Sequence, residues 1–368
     1  LHRQGHHVTL AALNTLKHRQ DPKVLKEIDQ VLTTEIDTSL SLWGIFRGVF
    51  SKQPYNVVRF WSEEFAKLLW TTLKAEKFDL IQLEGSFMSM YIPIIREVTD
   101  AAIVLRSHNV EFRIWERLAN AEPSKLKAWY MRNLSKKIKA FELGYLNSYD
   151  AIVPIADLDE AFYKENGFKK PIRTVNGGVD LERLKPKSPI EADQNILFLG
   201  SLEWKPNVQG LMWFLEKVWP TIYQAHPNAT FHVAGKNPPD HLSQLKVPGM
   251  KFHGMVPDAT EFLEGGHFLI VPLLSGGGMR LKIVEGFANA KCVVSTSIGA
   301  EGIAYQDGKD IVVADSESDW IEKINNLLDH PQDSVAIAQN ALQLARDKYG
   351  WEAIVTDLVD FYRSEVLE

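Results

Sequence analysis

The sequence predicts an α/β protein made of two doubly wound domains. Short runs rich in Val, Ile, Leu and Phe alternate along the chain with segments of helical period. The runs are nearly continuous in apolar residues, which is typical of parallel strands covered by helices on both faces. The length of 368 residues also fits two domains, at roughly 100–200 residues each.

The predicted strands fall into two sets. In the first half they are HHVTLAAL, DLIQLEG, AIVLRSHN, DAIVPIA and PIRTVNGG. In the second half they are NILFLG, TFHVAG, KFHGMV, HFLIVPLL, CVVSTS and DIVVAD. The opening LHRQGHHVTLAAL resembles a helix end that leads into a strand, so we expect that an N-terminal strand is missing before it.

A charged segment with two prolines separates the two sets and predicts a linker. We therefore expect a first domain at residues 1–184, a hinge at 185–194 and a second domain at 195–345. Residues 346–368 predict an amphipathic C-terminal helix. The periodicity does not show which domain this helix packs against, and one option is that it crosses back to the first domain.

Composition and charge exclude several classes of protein. The formal net charge of −6 argues against a nucleic-acid binder, which usually carries a strongly basic face. One cysteine, Cys292, excludes a disulfide framework and fits a reducing cytoplasm. We find neither a signal peptide nor an apolar run near the roughly 18 residues that a membrane span needs.

Open parallel sheets bind ligands at the carboxyl ends of their strands, so the loops after strands are the candidate sites. The loop at residues 275–287, SGGGMRLKIVEGF, follows a predicted strand and enters a helix. Its glycines let backbone N–H groups approach an anion, and Arg280 and Lys282 can bind phosphate oxygens. Glu285 can accept hydrogen bonds from ribose hydroxyls. The spacing matches neither the P-loop nor GxGxxG, and from these residues alone a plain tight turn remains an alternative.

The extended segment SGGGMRLKIVEGFANAKCVVSTSIGAEGI resembles the donor-site signature of family-4-like retaining glycosyltransferases with the GT-B fold. LFLGSLEWKPNVQGLMWFLEKVWP, RSHNVEFRIWERLA and NGGVDLERLKP resemble further parts of that family in the same order. The pattern covers nearly the whole chain and is most similar to a bacterial subgroup associated with exopolysaccharide and surface-glycan assembly.

The resemblance implies two Rossmann-like domains that face each other across a cleft. It also implies metal-independent transfer of a sugar, with retention, to a glycan or lipid-linked acceptor. The donor substrate would be a nucleotide-diphosphate sugar, and no cofactor is expected.

The resemblance also implies site residues. The catalytic candidates are His108, Arg280 and Lys282. The substrate-binding candidates are Glu84, Gly85, Asn109, Gly200, Ser201, Lys205, Val256, Gly276, Gly277, Gly278, Met279 and Glu285.

Two positions depart from the family pattern, and two candidates have simpler interpretations. The family usually has a sugar-binding glutamate where this chain has Gly277, and an arginine where it has Ser201. Lys205 lies only near the expected lysine. Without the resemblance, His108 could be a strand-end histidine bonded to a carbonyl, and Glu84 could cap a helix.

Two apparent metal motifs have simpler interpretations. Asp157-Leu158-Asp159 matches DxD, but acidic residues also favour the first turn of a helix. His2, His6 and His7 lack a fitting set of further ligands. We expect no metal at either place.

Two rival functions remain. A catalytically weak nucleotide-sugar-binding protein is favoured somewhat by Gly277 and by the apparently missing strand. A nucleotide-sugar epimerase with the same fold is less consistent with the ordered set of transferase-like loops.

Residues 123–146 predict a basic amphipathic helix with Trp129 at its edge. Its cations outnumber its carboxylates, with a net charge of +5. Such a helix fits an anionic membrane surface, although a core-packed helix with a solvated basic face is the simpler alternative. The apolar residues 39–50 would add a second contact or cover the cleft. We therefore expect a cytoplasmic protein, and a peripheral location at the inner face of the plasma membrane is one of the two options that this helix leaves open. The predicted apolar stripe comprises Leu126, Tyr130, Leu134, Ile138, Phe141 and Tyr145.

Overall fold

The computed structural model describes residues 1–16, 19–25, 28–184, 186, 193–276 and 278–367. These residues form two compact units. The first unit combines Leu1–Val175 with Val355–Glu368, and the second unit is Asn176–Ile354. Both units are α/β, and their paired strands are parallel.

The first unit contains two parallel ladders, one of β1 with β2 and one in the order β3-β4-β5. Its strands are β1 (Thr9–Thr15), β2 (Gln30–Ile36), β3 (Leu80–Glu84), β4 (Ala102–Ser107) and β5 (Ala151–Pro154). Its helices are α1 (Leu42–Phe50), α2 (Tyr55–Val58), α3 (Glu63–Ala75), α4 (Ile92–Arg96), α5 (Glu111–Ala121), α6 (Lys125–Gly144) and α7 (Asp157–Glu165).

Helix α6 contributes to the core of the first unit. Leu134 and Ile138 are buried against Ile103, Leu105 and Ile152 of the sheet. The middle of the predicted apolar stripe therefore belongs to the core, and burying a side chain of this size contributes about 1.5–3 kcal/mol. None of the helices that the structure describes is both long enough and apolar enough to cross a membrane.

The C-terminal residues pack within the first unit. Arg173 forms ion pairs with Asp357, at 3.1 Å, and with Glu365, and its guanidinium lies 4.9 Å from the centre of the Phe361 ring. Helix α15 (Trp351–Phe361) therefore begins in the second unit and continues into the first.

The first unit ends at Val175, earlier than residue 184. Residues after Val175 pair within the second unit, because Val179 N–H donates to Tyr349 O at 2.8 Å and Val179 O accepts from Trp351 N–H at 3.2 Å. Of the predicted hinge at 185–194, only residues 186, 193 and 194 are among the described residues.

The second unit has one parallel sheet in the order β11-β10-β9-β6-β7-β8. Its strands are β6 (Asn195–Leu199), β7 (Thr230–Ala234), β8 (Met250–Gly254), β9 (Phe268–Val271), β10 (Cys292–Ser295) and β11 (Val312–Val313). Its helices are α8 (Lys205–Trp213), α9 (Trp219–Ala225), α10 (Asp240–Ser243), α11 (Ala259–Glu264), α12 (Leu281–Ala288), α13 (Glu317–Asp329) and α14 (Pro331–Lys348).

Several helices begin where the sequence supplies an N-cap side chain. Ser62 accepts from Phe65 N–H at the start of α3, and Ser316 accepts from Asp319 N–H at the start of α13. These bonds satisfy backbone donors that a helix cannot pair internally. In the second unit, helices pack on the sheet and bury a core that includes Phe198, Phe214, Phe231, Trp219 and Trp320.

Two strand predictions differ from the structure. Strand β2 was not predicted, because in QVLTTEI the polar run Thr33-Thr34-Glu35 interrupts the apolar residues, which leaves neither a continuous apolar run nor a strict alternation. PIRTVNGG was predicted as a strand but makes only an isolated bridge, at Ile172 with Ile152. Pro171 lacks an N–H, and Gly177 and Gly178 weaken an extended strand.

Candidate functional site

In the first unit, two neighbouring strands end in polar residues that the sequence singled out. Glu84 closes β3, and His108 follows the last residue of β4. Because β3 and β4 are adjacent, the two side chains meet, with 2.7 Å between His108 Nε2 and Glu84 Oε2. About half of each side chain is exposed, so both can contact a ligand.

The pKa of Glu84 lies below its ordinary value. Burial raises it, but hydrogen bonds from His108 and Gln82 and the charge of Arg106 lower it by more. An ionised carboxylate can only accept, so His108 Nε2 carries the proton in this pair. Neutral His108 then keeps its lone pair on Nδ1.

The backbone around this pair is held in place. Gly85 N–H donates to Arg106 O at 3.0 Å, which ties the loop after β3 to β4. Asn109 is half-buried, and its carbonyl accepts from Ser107 Oγ at 3.3 Å. The structure thus brings Glu84, Gly85, His108 and Asn109 together at one edge of the sheet.

In the second unit, Lys282 lies at the carboxyl end of the central strand β6. Its Nζ donates to Asn207 Oδ1 at 2.9 Å, and Asn207 Nδ2 donates to Ser201 O at 2.9 Å. A Cβ atom added at Gly200 would lie 2.9 Å from Lys282 Nζ, so only glycine lets this ammonium approach the strand end.

The pKa of Lys282 falls to about 7, mainly because the ammonium is buried and also because Arg280 is close. Glu285 opposes this shift. The charged form of Lys282 is therefore disfavoured in the free protein, and a bound anion would stabilise it.

Arg280 lies directly before α12, with its guanidinium 5.1 Å from the centre of the Trp204 ring. Gly276 makes room for it: a Cβ there would lie 2.5 Å from Arg280 Nη2, and its φ of 124° is left-handed. Gly278 is half-buried in the same turn. Gly277, the position of the family glutamate, lies outside the described residues.

The other predicted residues of this site take different positions. Glu285 is half-buried in α12; burial raises its pKa, while Arg183 and Lys282 oppose the rise. The Met279 side chain is buried, so a ligand would meet its backbone. Val256 is half-buried in the loop after β8, and Lys205 is exposed at the start of α8. The structure thus brings Gly200, Ser201, Arg280 and Lys282 together and leaves Lys205 in solvent.

One residue of each apparent metal motif has another partner. Asp159 lies in the first turn of α7, 3.8 Å from Arg113, and His2 pairs with Asp29 at 3.1 Å. Within the described parts of the chain, no three or more His, Cys, Asp or Glu residues are grouped as metal ligands.

Sequence reasoning missed several polar neighbours of these residues. Asn207 and Trp204 could have been noticed, because Trp204 is the N-cap residue of the helix that follows β6 and Asn207 lies in its first turn. Arg106 pairs with Glu84 across β3 and β4, but a strand arginine carries no local signal of that kind. Gln82 and Tyr362 are 280 residues apart, and no short pattern links them.

Family models match most of the chain. Residues 1–183 match the model described as Glycosyltransferase Family 4, and residues 193–330 match the model described as Glycosyl transferases group 1. The two matches leave out only residues 184–192 and 331–368. The chain is also 25% identical over 362 residues to a 44.6 kDa protein in the cps region of Klebsiella pneumoniae, covering 90% of each chain.

Solved GT-B structures share the fold. Sucrose-phosphate synthase from Thermosynechococcus elongatus superposes with a TM-score of 0.66 at 14% identity, over 98% of this chain and 89% of that one. Anabaena Alr3699/HepE in complex with UDP and glucose gives a TM-score of 0.62 at 14% identity, over 96% and 92%. From its family matches and its GT-B fold, the chain is therefore a GT4-like glycosyltransferase.

Proposed function

We propose that this protein transfers a sugar from a nucleotide-diphosphate sugar to a glycan or lipid-linked acceptor, with retention of configuration and without a metal ion. The observation that carries the proposal is the pair of cations in the second unit. Lys282 lies beside the glycine that ends β6, and Arg280 lies just before α12. Two cations and a helix N-terminus favour binding of a diphosphate.

In this proposal the two cations stabilise the leaving group. Negative charge grows on the nucleoside diphosphate as its bond to the sugar breaks, and preorganised donors lower the barrier most where charge develops. Arg280 and Lys282 would supply these donors together with backbone N–H groups of the turn before α12. The solved complexes of HepE with UDP and with UDP-glucose support a uridine nucleotide as the first donor to test.

The Glu84–His108 pair would bind the neutral parts of the substrates. Sugar hydroxyls both donate and accept hydrogen bonds, and the pair offers a carboxylate acceptor and an imidazole nitrogen. We place His108 at the donor sugar or at the acceptor hydroxyl, with Asn109 and Gly85 beside it. The relative from the cps region supports a role in polysaccharide biosynthesis.

The function is tested by incubating the wild-type protein with UDP-, GDP- and ADP-sugars and following nucleoside diphosphate release. The assay is run with and without a membrane lipid extract as acceptor source. We expect release that the extract accelerates, together with a labelled glycan or glycolipid product. Tight donor binding without release would indicate a nucleotide-sugar-binding protein instead, and no response to any nucleotide would refute the proposal.

Retention and metal independence need separate measurements. NMR of the product compares its anomeric configuration with that of the donor, and we expect them to be the same. Release in excess EDTA should match release in Mg²⁺. An inverted product, or activity lost in EDTA, would refute that part of the proposal.

We also propose that the first unit docks on an anionic membrane, chiefly through α1. Trp43, Phe46 and Phe50 on this helix are 65%, 57% and 77% exposed, and the Phe46 ring contacts both of the other rings. Lys137 of α6 donates to the carbonyls of Gly48 and Val49 near the end of α1, which joins the two helices. Exposed aromatic residues beside a basic helix fit an interfacial membrane contact. The exposed cations of α6 are Lys125, Lys127, Arg132, Lys136 and Lys139.

We assign the apolar part of the proposed surface to α1, whereas the sequence predicted it on α6. Leu134 and Ile138 are in the core, and of the predicted stripe it is Leu126, near the start of α6, that is largely exposed. A triple variant, W43S/F46S/F50S, should therefore lose flotation with phosphatidylglycerol vesicles, whereas the control Leu158→Ser, equally an exposed apolar residue, should keep it. Flotation of the triple variant at the wild-type level would refute the docking surface.

A further inference from the structure

A series of hydrogen bonds leads from the C-terminal segment to His108. Tyr362 Oη donates to Gln82 Oε1, and Gln82 Nε2 donates to Glu84 Oε1. The second oxygen of Glu84 accepts from His108 Nε2 at 2.7 Å. All four residues belong to the first unit.

The direction of each bond follows from the chemistry of the groups. Burial raises the pKa of Tyr362 above its ordinary value, so its hydroxyl stays protonated and can donate. Because the amide oxygen of Gln82 accepts the hydrogen bond from Tyr362, the NH₂ group of the amide faces Glu84. The reversed amide would set its oxygen against a carboxylate oxygen, which is repulsive. Glu84 then has one oxygen for Gln82 and one for His108.

An arginine on the neighbouring strand stabilises the negative charge of Glu84. Arg106 lies directly opposite Glu84 in the β3–β4 pairing, and its guanidinium donates to Val175 O at 2.6 Å. The arginine therefore favours the ionised carboxylate, while the bonds to Gln82 and His108 orient it. An oriented anion next to an imidazole selects the ring tautomer.

We infer that Tyr362 and Gln82 are positioning residues, which hold Glu84 so that it keeps His108 in one orientation and in the Nε2–H tautomer. The inference rests on the proposed function in one respect, the role of His108 in substrate binding. It gives the C-terminal segment a part in the site: the residues that follow α15 act on His108 through two intervening side chains.

The kinetic test is a double-mutant cycle. Tyr362→Phe removes one hydroxyl and keeps the ring, so we expect kcat to fall about three- to tenfold, the usual worth of a hydrogen bond, with KM for the donor unchanged. In a Glu84→Gln background the same change should cost less than about twofold, because the series is already interrupted.

Tyr91→Phe is the matched control. Tyr91 is buried in the same unit, and its hydroxyl donates to Phe60 O at 2.7 Å and accepts from Ser62 N–H at 2.8 Å. We expect its kcat to stay within about twofold of the wild type. Equal losses in both tyrosine variants, or a full Tyr362→Phe loss in the Glu84→Gln background, would overturn the inference.

A second measurement does not depend on transferase activity. The ¹⁵N signals of His108, identified by their loss in His108→Gln, report which ring nitrogen is protonated. At about pH 8.5, where an ordinary imidazole is neutral, we expect the Nε2–H form in the wild type and a mixture in Tyr362→Phe. An unchanged tautomer would overturn the inference even if the enzyme is active. A shifted tautomer in a protein without turnover would keep the inference and refute the proposed function alone.

Discussion

The charged residues at the strand ends of the two units differ in sign. Opposite charges lie close together in the first unit, whereas two positive charges lie close together in the second. In the first unit, the carboxylate of Glu84 is bonded to His108 and lies across from Arg106. In the second unit, Lys282 and Arg280 are close enough for Arg280 to lower the pKa of Lys282, and the nearest bonded side chain, Asn207, is neutral.

This difference explains what each unit is suited to bind. The charge of Glu84 is offset by Arg106, so this strand end offers hydrogen bonds with little net charge, which suits the hydroxyl groups of a sugar or an acceptor. Two adjacent cations repel each other until an anion binds, so the second unit is suited to a diphosphate. The following predictions test this division, from the largest expected effect to the smallest.

Lys282→Ala should have the largest effect. We expect kcat/KM for the donor to fall about 100- to 1,000-fold, as when a donor to a developing charge is removed. The control is Lys205→Ala, because Lys205 is exposed near the same strand end. A larger loss for Lys205→Ala than for Lys282→Ala would contradict the prediction, because it would mean that the diphosphate binds at Lys205.

His108→Ala should reduce kcat about ten- to 100-fold and leave the affinity for the free nucleoside diphosphate unchanged. The reason is that His108 belongs to the unit that we assign to neutral groups. His330→Ala, at an exposed histidine, is the control. If His108→Ala weakened diphosphate binding as strongly as Lys282→Ala, the division between the units would be wrong.

Donor affinity should depend on pH through Lys282. Its pKa in the free protein is about 7, and a bound diphosphate favours the charged form and raises that pKa. Affinity should therefore be highest below about pH 7 and fall at most about tenfold per pH unit above it. Lys282→Arg should bind with little pH dependence over this range, because arginine stays charged. Isothermal titration from about pH 6.5 to 8.5 measures both proteins.

Asn207→Ala should have the smallest effect. It removes one hydrogen bond to Lys282 Nζ and one to Ser201 O, and the ammonium remains. We expect KM for the donor to rise about threefold to tenfold, with about 1 kcal/mol lost from the free energy of unfolding. An effect as large as that of Lys282→Ala would mean that Asn207 contacts the substrate itself.

The sequence predicted what depends on local patterns. Continuous apolar runs located most strands, and the residues after those strands included Glu84, His108, Arg280 and Lys282. Strand β2 was missed because three consecutive polar residues interrupt its apolar run, and the pairing of Tyr362 with Gln82 depends on a contact across 280 residues. The sequence also did not show which residues of the α6 stripe are buried. The stripe is uniformly apolar in sequence, yet Ile138 is in the core and Leu126 is exposed.

The central claim is that Arg280 and Lys282 make the second unit a diphosphate site. Isothermal titration of the wild type with UDP and with UMP tests it most directly, since the two ligands differ by one phosphate. We predict that UDP binds at least about tenfold more tightly than UMP, and that Lys282→Ala removes most of this difference. Equal affinity for the two nucleotides, or the same preference in Lys282→Ala, would contradict the account.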